Sequence, residues 1–175
     1  MKIIRNAIVM LLLGCASVQA VEVRSNALGG DGPISLDQVE IRLSRTACLG
    51  ECPVYSVLIR GDGTVVFDGE QWVASPGHRE TRIPVDAVVE LINAAIDARF
   101  FSAASAYTER TAFMLTGDGR LERRTESVFD AASVVLEFRV GQVRKRVVLE
   151  SVAPAHLRAL AQTVEEVSGV LAWVR

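Results

Sequence analysis

The alternation of apolar and polar residues along the first half of the chain predicts a group of strands. From residue 38 to residue 45 the two kinds alternate, which is the period of a half-buried strand. Residues 53–60 are rich in β-forming types, and residues 64–67 resume extended chain after Gly61-Asp62-Gly63, so a hairpin is predicted there. Either the last two or all three of these residues form the turn. Residues 70–82 are predicted to add an edge strand.

Two amphipathic helices are predicted, and each begins at a proline, which is well tolerated in the first turn of a helix. The first begins at Pro84 and ends near residues 99–101, with apolar residues at spacings of three and four. The second begins at Pro154. Its apolar stripe is Leu157, Leu160, Val164, Val167 and Leu171, and the neighbours predicted to face water are Arg158, Gln162, Glu165 and Glu166.

The clearest hairpin is predicted over residues 134–150, where two alternating segments flank Gly141-Gln142. These two residues suit a two-residue type II′ turn. That turn sets the register, and the expected cross-strand pairs are Glu137 with Arg146, Leu136 with Val147, and Val134 with Leu149.

The order of these elements predicts an α+β fold. Strands that alternate between faces and join through tight turns favour an antiparallel sheet with helices on one side. We expect about five to six strands and two helices on one face, in the order β-β-β-(β)-α-β-β-α. The segment 102–132 is the least clear, with a small hairpin around Gly117-Asp118-Gly119 and a charged run at 120–124 interpreted as a solvated surface.

The N-terminus has the layout of an export signal. Lys2 and Arg5 precede a short apolar segment, and Val18-Gln19-Ala20 offers a small residue before the cleavage site. The apolar segment is far shorter than the roughly 20 residues needed to cross a bilayer. The predicted organisation is a signal peptide at 1–20, a flexible lead-in at 21–34 and a single domain of α+β type at 35–175.

An alternative cleavage site lies before Cys15, because Leu12-Leu13-Gly14-Cys15 resembles the lipobox of bacterial lipoproteins. In that case Cys15 would be lipidated. We therefore expect an exported protein, in the periplasm or as an outer-membrane lipoprotein, that touches a membrane only through such a lipid anchor. The formal net charge of −2 indicates no nucleic-acid partner, since nucleic-acid binding requires a basic surface.

Cys48 and Cys52 are the most distinctive candidates for chemistry. In an oxidising compartment a structural disulfide is their simplest interpretation. A redox-active dithiol is one alternative, and copper binding is another, because Cys-x-x-x-Cys-Pro is the ligand spacing of thioredoxin-like copper-delivery proteins. In both alternatives a helix normally follows the pair, whereas here a β-rich segment does. A zinc site with His78 and His156 is the third, although the histidine spacing fits no standard pattern.

The remaining candidates have simpler explanations. Surface positions without a role are expected for His78 and His156, and turn chemistry explains Asp31, Asp62 and Asp118, each within a Gly-Asp-Gly. Core packing is favoured for Tyr55 and Trp72 over an apolar groove. The chain has no nucleophilic-serine motif and no phosphate-binding glycine loop, so we assign no catalytic residue, no metal ligand and no cofactor.

The segment R-T-x-C-x-G-x-C-P-x-Y resembles a bacterial family known only as a domain of unknown function, whose members are largely exported proteins or lipoproteins. The resemblance covers roughly residues 38–172. It implies a fold and a compartment but no activity. The positions that match are Arg45, Thr46, Cys48, Gly50, Cys52, Pro53, Tyr55, Gly63 and Asp130.

The functional hypothesis from the sequence is a non-enzymatic binding or interaction module of the cell envelope, stabilised by a Cys48–Cys52 disulfide. Its partner would be an unidentified envelope protein or a small ligand. The alternative is a periplasmic protein that handles thiols or copper through the same two cysteines.

Overall fold

A computed structural model describes residues 33–127 and 132–175 of the chain. These residues form one large sheet, one separate two-stranded sheet, three α-helices and two short 3-10 turns at Leu36–Gln38 and Phe100–Ser102. The strands are β1 (Val39–Arg45), β2 (Val54–Arg60), β3 (Thr64–Gln71), β4 (Gly77–Arg82), β5 (Ala106–Tyr107), β6 (Glu109–Leu115), β7 (Leu121–Ser127), β8 (Val134–Val140) and β9 (Val143–Leu149). The helices are α1 (Val85–Asp97), α2 (Ala155–Ser168) and α3 (Leu171–Val174).

The large sheet has seven strands in the order β4-β3-β2-β1-β8-β9-β5. All neighbouring strands are antiparallel except β5 and β9, which are parallel. Strands β6 and β7 form the second sheet. The α+β class is confirmed in outline, but the expected five to six strands are wrong, and so is the expected number of two helices, since α3 adds a third.

Strand β5 accounts for the difference in strand number, whereas β4 lies within residues 70–82, where an edge strand was expected. Neither edge strand shows the apolar alternation by which buried strands are recognised. Strand β4 consists of exposed or half-buried residues and is held by its backbone pairing with β3. It begins after Trp72, which ends the preceding strand in a left-handed conformation with φ 53°. Strand β5 has only two residues and joins β9 through Ala106 with Val148 and Tyr107 with Leu149.

The predicted registers of the two central hairpins can be compared directly with the structure. In the β8–β9 hairpin all three expected pairs are confirmed, from Glu137 with Arg146 to Val134 with Leu149. The β2–β3 turn uses all three residues, 61–63. Gly63 adopts φ +84°, and a Cβ there would overlap the backbone of Ile83, so glycine is required at this position.

One face of the large sheet and the two long helices form a single hydrophobic core. Alternate residues of the central strands are fully buried, as in Ile41 and Leu43 of β1 and Leu136 and Phe138 of β8. Helix α1 adds Leu91 to the same core. Burial of this face is the main source of stability and orients both helices against the sheet.

Helix α2 differs from the sequence prediction in two ways. It ends at Ser168, because Gly169 takes the left-handed conformation (φ 73°) that commonly terminates helices, so Leu171 belongs to α3 instead. More importantly, Glu165 was predicted to face water and is buried. The prediction for Glu165 is therefore wrong.

Several predicted features lie outside the described residues: the signal peptide at 1–20, the lead-in up to residue 32, Cys15, Asp31 and Asp130. Of the helices in the described part of the chain, none combines the length and the apolar character needed to span a membrane.

Candidate functional site

Arg45 and Glu165 form a partly buried ion pair between the sheet and helix α2. Arg45 is the last residue of β1, and Glu165 lies 120 positions later on α2. Arg45 Nε donates to Glu165 Oε1 at 2.6 Å and Arg45 Nη2 donates to Glu165 Oε2 at 2.9 Å. The Glu165 side chain is 5% exposed and the Arg45 side chain 31%. These hydrogen bonds raise the pKa of Arg45 above its usual range, against the opposing effect of burial, so it stays charged.

Tyr55 completes what we call the motif cluster, which consists of Arg45, Tyr55 and Glu165. Tyr55 pairs directly with Arg45 across the β1–β2 ladder, and its hydroxyl donates to Glu165 Oε1 at 2.5 Å. Burial raises the pKa of the Tyr55 hydroxyl above its usual range, and the hydrogen bond to Glu165 raises it further. The tyrosine ring also packs against Phe67, with the ring centroids 5.5 Å apart. The core position expected for Tyr55 is thus confirmed.

Thr46 joins the end of β1 to the residue that precedes β8. Its backbone N–H donates to Ser133 O at 3.0 Å, and Ser133 N–H donates to Thr46 Oγ1 at 2.9 Å. This reciprocal pair extends the β1–β8 contact by one residue beyond the ladder. Thr46 therefore helps to fix the position of the chain next to the motif cluster.

Cys48 and Cys52 form a disulfide in the loop between β1 and β2, with their Cα atoms 5.8 Å apart. Pro53 follows and is half-buried, and strand β2 begins at the next residue. No helix starts at either cysteine, so the helix dipole that would lower the pKa of a reactive thiol is absent at these residues. A Cβ at Gly50 would only touch Cys48 Sγ at 3.9 Å, so packing does not require glycine there.

A cavity of about 260 Å³ lies beside the motif cluster, between the ends of β8 and β9 and helix α2. We call it the motif cavity. Its wall combines apolar side chains with ionised ones, which is the usual composition of a small-molecule site. The lining residues that matter below are Arg45, Val134, Leu149, Glu150, Arg158 and Gln162.

Glu150 is the unusual residue in this wall. Its Oε1 accepts a hydrogen bond from Ser133 Oγ at 3.0 Å, but its Oε2 is buried and receives no hydrogen bond from the described part of the chain. A buried carboxylate oxygen without a donor is unfavourable by about 1–3 kcal/mol or more, so such an oxygen usually marks the position of a water, an ion or a ligand.

Arg158 is exposed at the other side of the cavity and is held by the backbone. Its Nη1 donates to Ser151 O and Ala153 O, each at 2.7 Å. Within the described residues, its Nε and Nη2 atoms have no hydrogen-bond partner. The residues that line the cavity thus include a carboxylate with one oxygen that lacks a donor and a guanidinium with nitrogens that can donate.

Comparison with known proteins gives a family without a known activity. A model of the family described as a domain of unknown function, DUF6438, matches residues 39–168. The chain belongs to this family. No curated protein and no solved structure matched the chain. The matched range of the DUF6438 domain runs from the first residue of β1 to the last residue of α2, so it includes the motif cluster.

The other predicted residues of this DUF6438 domain lie away from the motif cluster. His78 is on β4, where its Nδ1 lies 3.8 Å from Asp68 Oδ2, and His156 is exposed on α2. Across residues 33–127 and 132–175, no group of three or more His, Cys, Asp or Glu could hold a metal ion. Trp72 is 56% exposed, so the core position expected for it is wrong.

The two aspartates of the described Gly-Asp-Gly segments are bound within their own turns. Asp62 accepts from the backbone N–H of Thr64 at 2.9 Å and from its hydroxyl at 3.0 Å, and these bonds lower the pKa of Asp62. Asp118 accepts from the hydroxyl of Thr116 in the same way. Both contacts match the turn chemistry expected for these residues.

Sequence reasoning missed two residues of the site, Glu165 and Glu150. Glu165 continues the row Leu157–Ala161 at a spacing of four, so it lies on a buried side of α2 once Ala161 is counted as apolar. Arg45 at the end of an alternating strand is a second indication, since a half-buried arginine needs an acidic partner. For Glu150 the sequence carries no such indication, because its environment is made by remote segments.

Proposed function

We propose that this DUF6438 domain is a non-enzymatic binding module of the cell envelope and that its ligand site is the motif cavity. The observation that carries the proposal is Glu150, which lines a cavity large enough for a small molecule and whose buried Oε2 atom has no donor among the described residues. The envelope is proposed from the export signal predicted at 1–20, and the Cys48–Cys52 disulfide supports an oxidising compartment.

The chemistry of the cavity wall favours a ligand that carries both a donor and an acceptor. An ammonium or amide group would donate to Glu150 Oε2, and a carboxylate or carbonyl group would accept from the free nitrogens of Arg158. Apolar atoms between the two groups would contact Val134 and Leu149. A short peptide or an amino acid has this arrangement.

The protonation states of the motif cluster support binding rather than catalysis. General acid–base catalysis requires a group whose pKa is near the working pH. The pKa of Arg45 and the pKa of Tyr55 are both raised above their usual ranges, so Arg45 stays protonated and Tyr55 stays neutral at neutral pH. The cluster acts as a fixed support for one wall of the cavity.

The test is an NMR titration of the amide resonances of the full chain with the dipeptide alanyl-alanine. The N-acetylated dipeptide lacks the ammonium group, and the dipeptide amide lacks the carboxylate. We expect the dipeptide to shift the resonances of Leu149 and Ala161 and each derivative to bind more weakly. Glu150→Gln should weaken binding about tenfold, as expected for the loss of one charged hydrogen bond.

A matched pair of variants on α2 controls for the location of the site. Gln162→Trp places a large ring at the mouth of the cavity and should abolish the shifts, whereas Ala159→Trp, also exposed but outside the cavity, should preserve them. The proposal fails if all three probes leave the cavity resonances unchanged, or if both tryptophan variants bind like the parent.

A further inference from the structure

The β6–β7 hairpin is a second feature without an assigned role, and it is independent of the motif cavity. Its strands pair only with each other within the described residues, with Phe113 opposite Arg123 and Leu115 opposite Leu121. Residues opposite each other in a ladder share a face of the sheet. Three large apolar side chains on one face are therefore exposed: Phe113 by 68%, Leu115 by 73% and Leu121 by 72%.

Such a hairpin has too few strands to be stable by itself. An isolated two-stranded sheet is marginal in water, and three or more strands with a covered apolar face are normally needed. The exposed apolar face and the two free edges are thus the properties of an element that gains stability when another strand joins it.

The two free edges differ in charge, which indicates where the next strand joins. Charged side chains on an edge oppose pairing with another strand. Strand β7 carries Glu122, Arg123, Arg124 and Glu126. Strand β6 carries charges only at its first two residues, and the stretch from Thr111 to Gly117 has no ionisable side chain. The open edge is therefore that of β6.

We propose that the partner at this edge is a second copy of the same chain, joined by antiparallel pairing of β6 with β6 around Phe113. In this register Phe113 lies opposite its own equivalent, Ala112 opposite Met114, and Thr111 opposite Leu115. No ionisable residue of β6 meets another across the new ladder. A four-stranded sheet forms, and both copies contribute Phe113, Leu115 and Leu121 to the same face.

The geometry of this pairing produces a closed dimer rather than a fibre. The interface is two-fold symmetric, so each copy uses its own β6 edge and no equivalent edge remains free. The strand rises about 3.4 Å per residue, and the bases of the two hairpins, each at Glu109, lie eight residues apart along the ladder, so they are separated by about 27 Å. The two large sheets then stand at opposite ends of the shared one.

The decisive experiment is sedimentation equilibrium of the full chain and of two variants at the two-fold axis. The parent should show an apparent mass that rises about twofold with concentration, as for a weak dimer. Phe113→Lys and Phe113→Glu should each remain monomeric, because like charges then face each other across the ladder. An equimolar mixture of the two variants should dimerise again, since Lys then faces Glu.

Arg124→Glu on β7 is the control, and it should dimerise like the parent because β7 lies at the outer edge of the shared sheet. Circular dichroism should give the parent spectrum for every variant, since the exchanged residues are exposed. The proposal is overturned if the parent stays monomeric at all concentrations. The same holds if the parent stays monomeric and instead cosediments with phospholipid vesicles, since the apolar face would then bind lipid. The proposal is also overturned if the mixture fails to pair, or if only Arg124→Glu disrupts the dimer.

Discussion

Glu165 is a charged residue in a largely apolar environment, and its three hydrogen bonds explain how it is tolerated there. Removing a carboxylate from water is unfavourable by several kcal/mol unless charge and hydrogen bonds compensate. Arg45 supplies the charge and two bonds, and Tyr55 supplies a third. Since such pairs add little net stability, we interpret the cluster as the device that selects one position of α2 on the sheet.

The first prediction concerns this ion pair. Arg45→Met leaves the Glu165 carboxylate buried and without its cation, so the free energy of unfolding should fall by about 3 kcal/mol in urea denaturation. The double variant Arg45→Met with Glu165→Leu should recover much of this loss, because no buried charge is left alone.

The matched control for Arg45 is Arg139→Met. Arg139 pairs with Glu40 at 3.2 Å at the surface, where ion pairs contribute about 0–1 kcal/mol. Equal losses for Arg45→Met and Arg139→Met would mean that the buried pair does not form.

The second prediction is a pH dependence that arises from Tyr55. Burial and the hydrogen bond to Glu165 raise the pKa of Tyr55 in the folded state above that of the unfolded chain. Its stabilising contribution is therefore complete below the unfolded pKa of about 10 and is lost as the pH rises above that value. We expect the unfolding free energy of the parent to fall more steeply above about pH 10 than that of Tyr55→Phe. If the unfolding free energies of the two proteins change in parallel with pH, the Tyr55 hydroxyl is not buried as described.

At the scale of elements, the β1–β2 connection combines the disulfide with the two strand residues of the motif cluster. Arg45 and Tyr55 are the last pair of the ladder, and Cys48 and Cys52 close the loop between them. Because the loop is short, the disulfide removes little entropy from the unfolded chain and acts mainly on the local geometry.

The third prediction is that Cys48→Ala with Cys52→Ala folds but loses about 1 to 3 kcal/mol of stability, as the chain-entropy account of short loops implies. Urea denaturation of the parent and the double variant, each with and without reductant, measures this. The reduced parent should resemble the double variant. If oxidised parent, reduced parent and variant all melt together, the disulfide has no structural role.

The fourth prediction tests the docking of α2. Leu160 is 3% exposed, so Leu160→Asp would bury an unpaired carboxylate and should prevent folding. The neighbouring Ala159 is exposed, and Ala159→Asp should reduce stability by less than about 1 kcal/mol, as helix propensity alone predicts. Arg158 is unsuitable as a control because its guanidinium donates hydrogen bonds to the backbone carbonyl groups of Ser151 and Ala153. Equal tolerance of both substitutions, judged by circular dichroism, would mean that α2 is not docked.

At the scale of the whole molecule, the features of interest gather at one end of the large sheet. The disulfide loop leaves β1 and enters β2 at this end, and the motif cavity lies where β9 ends and β8 begins. The β6–β7 hairpin follows β5, whose Tyr107 pairs with Leu149 at the same end. The rest of the large sheet serves as a rigid support for this end.

The fifth prediction is that the β6–β7 hairpin can be removed without unfolding the rest. Tyr107 and Val134 both pair with Leu149, from its two sides, so they lie about 10 Å apart at normal strand spacing. A short Gly-Ser linker in place of residues 109–127 can span this distance, and the melting temperature should change by only a few degrees. Loss of the cooperative melt would mean that the hairpin packs against the core.

The predictable parts of the fold are those whose cause is local. The β8–β9 register follows from a two-residue turn and an alternating pattern within 17 residues, and the helices begin directly after Pro84 and Pro154. The bounds of edge strand β4, expected within residues 70–82, and the existence of edge strand β5 could not be predicted in this way, because both are held by backbone pairing to a neighbour and need no apolar pattern of their own.

The sequence by itself determined the α+β class, the two central hairpins and both helix starts, because each depends on residues close together in the chain. It favoured the pairing of Cys48 with Cys52 over the alternatives, and the structure contains that disulfide. Only the tertiary structure decided that Glu165 is buried, since its partner Arg45 lies 120 positions away. The motif cavity and the unpartnered oxygen of Glu150 were decided in the same way. The burial and the hydrogen bonds of a side chain depend on which remote segments pack around it. The periodicity of one segment does not tell which remote segments these are.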